Sequence, residues 1–152
     1  SKAYSMTGWR LGYLGAPESI AKAIDAIQSH STSNPCSFAQ KGGFAALKGD
    51  QQPVADMREE FDMRRNYMVN RLGSIPRVSV DKPQGAFYVL VNISQLGLSS
   101  TNFAARLLSK HHVAVVPGVA FGNDTTVRLS YATSLDIIKK GLDRFEEVCR
   151  SL

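Results

Sequence analysis

Cysteine is scarce in this chain: only Cys36 and Cys149 are present, far apart in the sequence. Two such residues cannot make a disulfide framework. With no C-x-x-C and no Cys/His ligand spacing, no metal site is expected; two buried or half-buried thiols in a reducing compartment are. Long apolar runs are absent too. The longest, Phe87–Val91 and Val113–Val119, fall far short of the roughly 20 residues a membrane-spanning helix needs, so no membrane partner is expected. No charged-then-apolar leader is visible at Ser1, and no signal peptide is expected. Internal repeats, low-complexity tracts and a basic tail are missing as well.

What remains is the composition of a globular domain. The 152 residues are 43% hydrophobic and 20% charged, long enough to bury a core. The net charge of +5 would suit acidic ligands, phosphates or nucleic acid. Its Lys and Arg residues are instead spread along helix faces, the long helix holding the pair Arg64-Arg65. No nucleic-acid motif accompanies them, so no nucleic-acid partner is expected.

Periodicity gives an α/β layout. Trp9–Ala16 reads as a short buried strand. Pro17 and Glu18 open a helix carrying Ile20, Ile24 and Ile27 to about Ser29. Asn34-Pro35 turns into a second helix to about Leu47, stopped by Gly49, with Gly42-Gly43 inside it for close backbone contact. The longest helix spans about Pro53–Leu72. Val78–Val80 and Ala86–Ile93 read as strands, the latter apolar on both faces and so expected to be covered on both. Thr101 is the expected cap of a helix to Lys110, with Phe103, Ala104, Leu107 and Leu108 inward. Val113–Val116 and Thr126–Tyr131 complete a sheet of three or four strands. Ser134 caps a last helix with the stripe Ile138, Leu142, Phe145, Cys149 and Leu152.

Three cations could carry chemistry. Lys2 is surrounded in sequence by Ala3, Tyr4, Met6 and Trp9. A nucleophilic lysine needs its charge disfavoured by burial or by a neighbouring cation, whereas an ordinary lysine sits in water. Arg10 enters an apolar stretch and must find an anion there, either a phosphate or a structural carboxylate. Arg128 is central in Thr126–Tyr131, where alternation sets it and Ser130 opposite Val127, Leu129 and Tyr131. A substrate carboxylate or a buried salt bridge would each satisfy it.

The opening Ser1-Lys2-x-x-x-Met6-Thr7-Gly8-Trp9-Arg10-Leu11-Gly12-Tyr13 closely resembles the active-site stretch of class I (fold-type-I) aminotransferases of the aspartate aminotransferase type. Pro83-x-Gly85-Ala86-Phe87-Tyr88, Val115-Val116-Pro117-Gly118 and Val127-Arg128-Leu129-Ser130-Tyr131-Ala132 match later landmarks of that family in order, and Ser31–Pro35 with Ala39-Gln40 resembles its bacterial and plastid-like branch. The resemblance implies the C-terminal α+β small domain of such an enzyme over residues 16–152, with residues 1–15 as the end of its cofactor-binding large domain. It implies pyridoxal 5'-phosphate as cofactor, held covalently by Lys2 and gripped at its phosphate by Arg10, with Ser1 a further contact. Lys2 is then the catalytic base and Arg128 binds the substrate α-carboxylate. Amino-group transfer between aspartate and 2-oxoglutarate is the expected reaction of a cytoplasmic, homodimeric full-length parent. Prephenate or aromatic substrates are the alternative, as is a stand-alone interaction module derived from such an enzyme. The 152 residues by themselves are expected to be inactive. Residues 1–15 are expected to be disordered or packed against a second copy.

Overall fold

Alternating apolar residues build the sheet, and five helices of amphipathic or glycine-punctuated sequence precede, interrupt or follow its strands. The computed structural model describes residues 1–152. Its helices are α1 (Glu18–Ser31), α2 (Ser37–Lys48), α3 (Gln52–Gly73), α4 (Ser100–His111) and α5 (Leu135–Arg150). Its strands are β1 (Ser79–Val80), β2 (Tyr88–Asn92), β3 (Val116–Pro117) and β4 (Thr126–Ser130). Short 3-10 turns lie at Thr7–Trp9, Ser94–Leu96 and Gly118–Phe121. The chain divides into two units, residues 1–57 and 58–152, the division falling within α3.

In residues 58–152 the sheet order is β1-β2-β4-β3, antiparallel throughout. Val89 pairs with Leu129 and Val91 with Val127. All four are buried on one face, in a core with Met68 and Leu72 of α3, Phe103 and Leu107 of α4, and Ile138, Leu142, Phe145 and Val148 of α5. The Phe103 and Phe145 rings meet edge to face at 5.3 Å, the arrangement that aromatic quadrupoles favour. Ser134 accepts from the Ile137 amide, capping α5 as expected.

Several expectations are corrected. The cap of α4 is Ser99, which accepts from Asn102 N, and Thr101 lies one turn-step inside the helix. Leu108 is half exposed, because the buried stripe of α4 is Phe103, Ala104 and Leu107. The segment from Val113 pairs only at Val116–Pro117. β2 is covered on one face only: Leu90, on the side opposite Val89 and Val91, is 50% exposed. Every helix that contributes to the core does so on the Val89–Val91 side.

Residues 1–57 hold α1 and α2 and no strand. The expected strand at Trp9–Ala16 is instead a 3-10 turn followed by irregular chain. A strand exists only by pairing, and residues 1–57 offer no edge to pair with. Trp9 and Leu11 instead pack on α2, where a Cβ at Gly42 or Gly43 would run into the Trp9 ring or the Leu11 side chain respectively. Trp9 also meets Phe38 edge-on at 6.5 Å. Only Ala39 is fully buried here; Ile20, Ile27, Phe38, Phe44 and Leu47 remain exposed. Cys36 is exposed too, against the expectation of two buried or half-buried thiols, while Cys149 is buried. No helix is long and apolar enough to cross a membrane.

Candidate functional site

In residues 1–57 the candidate residues sit at a turn. Ser1 and Lys2 supply backbone carbonyls that accept from Met6 N and Ser5 N, closing the turn at 2.8 and 3.1 Å. Tyr4 Oη donates to Gln51 and Ser5 Oγ to Met57 Sδ, at 3.0 and 3.3 Å. The Lys2 side chain is exposed and forms no ion pair. Arg10 follows the Thr7–Trp9 turn in the left-handed conformation, φ 54°. Its Nη1 donates to the Thr7 carbonyl at 3.0 Å, which folds the guanidinium back over the turn. No carboxylate pairs with it, and its other donors have no partner. The strand interior expected around Arg10 is therefore replaced by an exposed turn. A primary amine and a guanidinium with open donors are groups that can take an aldehyde and a phosphate, but the burial expected of a nucleophilic lysine is not found at Lys2, which is exposed.

In residues 58–152 the candidate is Arg128, half-buried on the open face of the sheet. It pairs with Leu90 on one side and Val116 on the other. The salt bridge considered for it is not formed. Its guanidinium carbon instead lies 4.2 Å from the Tyr88 ring centroid and 4.4 Å from that of Phe121.

The register explains Tyr88. That residue pairs with Ser130, two positions beyond Arg128, so the two side chains are diagonal neighbours on one face, a separation that aromatic and long side chains bridge. Tyr88 is held from behind as well. Tyr131 donates its backbone amide to Phe87 O and its hydroxyl to Ala86 O, both at 2.9 Å. Burial pushes the Tyr131 phenol pKa up, countered by the nearby Arg65 charge. Ala86 lies at φ 60°, a left-handed conformation that costs a non-glycine residue about 1 kcal/mol or more and persists only where its surroundings enforce it. Phe61 stacks on Phe87 at 6.1 Å, and Phe87 contacts Tyr88 at 4.4 Å. The motif Gly85–Tyr88 is thus pinned to the end of β4.

Phe121 is fixed by a separate set of bonds. Ser100, fully buried, donates its hydroxyl to Asp124 Oδ1 at 2.6 Å and its amide to Asp124 O at 3.1 Å. The same hydroxyl accepts from Val119 N at 3.2 Å. At Gly118 any Cβ would collide with Asn123 O and Thr126, so only glycine permits the loop to close there. The Gly118–Phe121 turn is held at both ends. Sequence reading missed Tyr88 and Phe121 as partners of Arg128. Strand alternation puts Tyr88 on the right face, but nothing local in the sequence points from Phe121 to β4.

A family model described as aminotransferase class I and II matches residues 1–145. The aspartate aminotransferase of Bacillus subtilis (strain 168) is 45% identical over 151 residues, covering 96% of this chain and 38% of the relative. The crystal structure of an aromatic aminotransferase from Pyrococcus horikoshii OT3 superposes with a TM-score of 0.94 at 37% identity, covering 99% of this chain and 41% of that one. For the aspartate aminotransferase from Rhizobium meliloti the TM-score is 0.93 at 39% identity, over 97% of this chain and 40% of that one. The chain therefore spans about two fifths of the length of these relatives.

Proposed function

Because the chain belongs to the class I and II aminotransferase family, we propose that it is the C-terminal part of an enzyme that moves an amino group from an amino acid to a 2-oxo acid. Aspartate and 2-oxoglutarate are the proposed substrates, supported by the relatives named aspartate aminotransferase. An aromatic amino acid is the alternative, since one structural neighbour carries that name. The observation that carries the reading is that Lys2, Arg10 and Arg128 have no carboxylate partner within the chain, leaving each free for an external anion or carbonyl.

Residues 1–15 are proposed to complete the cofactor-binding large domain, and residues 16–152 to form the small domain. Arg10 would hold the phosphate of pyridoxal phosphate, with Ser1 a further cofactor contact, and Lys2 Nζ would hold its carbonyl carbon covalently. When bound, that cofactor supplies an electron sink for the charge that develops at the substrate α-carbon. Lys2 Nζ, as a free amine, would take the proton from the substrate α-carbon and give it back, acting as general base and acid. Arg10 neutralises phosphate charge through its fork of N–H donors. Arg128 takes the α-carboxylate in a bidentate pair, fixing which bond at the α-carbon faces the base.

The 152 residues alone are proposed to be inactive, and the full-length protein to be a cytoplasmic homodimer. The test is amino transfer from L-aspartate to 2-oxoglutarate by the full-length protein with pyridoxal phosphate. Turnover that is abolished in Lys2→Ala is expected; a full-length protein that transfers no amino group from aspartate or aromatic amino acids overturns the reading. Turnover by the 152 residues alone would overturn their proposed inactivity.

One observation favours a second reading, a non-catalytic interaction module. Tyr13 is 86% exposed, and Leu14, Phe38 and Phe44 of the same unit are exposed too, large apolar side chains of the kind that mark interaction surfaces when they form a patch. Self-association through residues 1–15 would cover some of them. Sedimentation velocity of the 152 residues separates the cases: dimerisation lost in Tyr13→Ser with Leu14→Ser supports it, and a monomer at high concentration removes it.

A further inference from the structure

Arg128 is held unlike the other half-buried arginines. Arg64, Arg65 and Arg71 pair with carboxylates, and Arg106 donates to Ser151 Oγ at 3.4 Å. Arg128 has no ion pair and no hydrogen bond; its contacts are the rings of Tyr88 and Phe121. We propose that Tyr88 and Phe121 are positioning residues that hold the Arg128 guanidinium ready for an incoming carboxylate. The proposal rests on the reading of Arg128 as the substrate-carboxylate residue.

A carboxylate partner in the protein would occupy the in-plane donors of the guanidinium and cancel its charge. An aromatic face does neither, because it is attracted to the cation through its quadrupole and leaves the N–H edge free. A carboxylate binds to that edge, two oxygens against two N–H groups. The edge is open here: the buried nitrogens without a partner are Arg65 Nε and Arg106 Nε, and no nitrogen of Arg128 is sealed away with them. An arginine free to swing would lose rotamer freedom on binding. Two rings that restrain it beforehand remove much of that cost.

The rings are themselves independently fixed. The β2–β4 register sets Tyr88 diagonal to Arg128, and the Tyr131 bonds to Ala86 and Phe87 hold the chain just before it. Phe121 ends the turn closed by Ser100, Asp124 and Gly118. Neither ring depends on a ligand for its place, and the two do not stack on each other, so each acts on the cation separately.

The α-carboxylate is bonded to the reacting carbon, so its receptor both binds the amino acid and orients the bond that breaks. Loosening that receptor therefore lowers kcat/KM. The experiment is steady-state kinetics of the full-length enzyme with pyridoxal phosphate, in Tyr88→Leu and Phe121→Leu. Tyr88→Phe and Phe121→Tyr serve as ring-preserving variants. Each ring deletion is expected to lower kcat/KM for the amino acid about threefold to thirtyfold, and each ring-preserving change to retain it. An unchanged kcat/KM in both leucine variants, while Arg128→Lys is strongly impaired, overturns the clamp and leaves the carboxylate reading standing. An unimpaired Arg128→Lys overturns that reading and the proposal with it. A second measurement does not depend on the variants folding. In the Nε–Hε spectrum of the 152 residues, Arg128 is expected to show a ring-current shift away from the ordinary arginine position. A folded spectrum with Arg128 at that ordinary position overturns the clamp.

Discussion

Glu146 sits among opposite charges on α5. A hydrogen bond from Arg71 is the main cause that holds its carboxyl below the ordinary 4.5, with Arg150 adding to it. A carboxyl depressed by folding contributes stability that is fully present above its unfolded pKa and lost as pH falls through the folded one. The acid limb attributable to Glu146 therefore begins near pH 4.5 and runs downward. Glu146→Gln is expected to lower the Tm at pH 7 and to flatten the Tm-versus-pH curve below that point; parallel curves for the two proteins would refute the assignment. The thiols make a second prediction at this scale. Burial pushes the Cys149 thiol up to about 12, so it holds no thiolate at neutral pH, while Cys36 is exposed. Ellman's reagent should titrate one thiol per native chain at pH 8 and two after unfolding in guanidinium. Two fast thiols in the native chain would mean that α5 is not packed as described.

Helices α4 and α5 begin where a hydroxyl satisfies a free amide, and this decides which serine matters. Ser134→Ala removes the acceptor for Ile137 N and Ser99→Ala that for Asn102 N, each expected to cost about 0.5–2 kcal/mol. Thr101→Ala, at the position that sequence reading favours for the cap, should change stability by less than about 0.5 kcal/mol. Urea unfolding of the three variants distinguishes them, and a larger loss for Thr101→Ala would reverse the assignment. The confusion has a local cause: Ser99, Ser100 and Thr101 are consecutive hydroxyl residues, each able to cap. The choice follows from Ser100, whose hydroxyl is committed to Asp124 and Val119. That leaves Ser99 at the helix start.

Across the whole molecule, apolar burial is unevenly divided. Every large side chain below 2% exposure lies in residues 58–152, from Leu72 to Cys149, whereas residues 1–57 bury only Ala39. Hydrogen exchange should follow that division, since amide protection tracks the buried, cooperative part of a chain. Amides of β2, β4 and α5 are expected to exchange slowest, and those of α1 and α2 orders of magnitude sooner. Equal protection in α1 and α5 would contradict it. Ile20 and Ile27, both exposed, are among the residues whose helical spacing announces a buried face. Sequence periodicity reports that a face is apolar; it does not report what covers it.

The sequence by itself determined all five helices to within about two residues, the strands β1, β2 and β4, the α5 cap, and membership of the family through four ordered motifs. Those features are local: periodicity, caps and short motifs act over a few neighbouring residues. Tertiary structure decided the rest. Trp9–Ala16 forms no strand because its unit has no strand to pair with. The outer face of β2 stays open because the helices gather on the other side. Arg128, for which sequence leaves either a salt bridge or a ligand, meets two aromatic rings. One ring arrives by strand register and the other by a loop closed from α4, and contacts made across the fold leave no periodic mark in a chain.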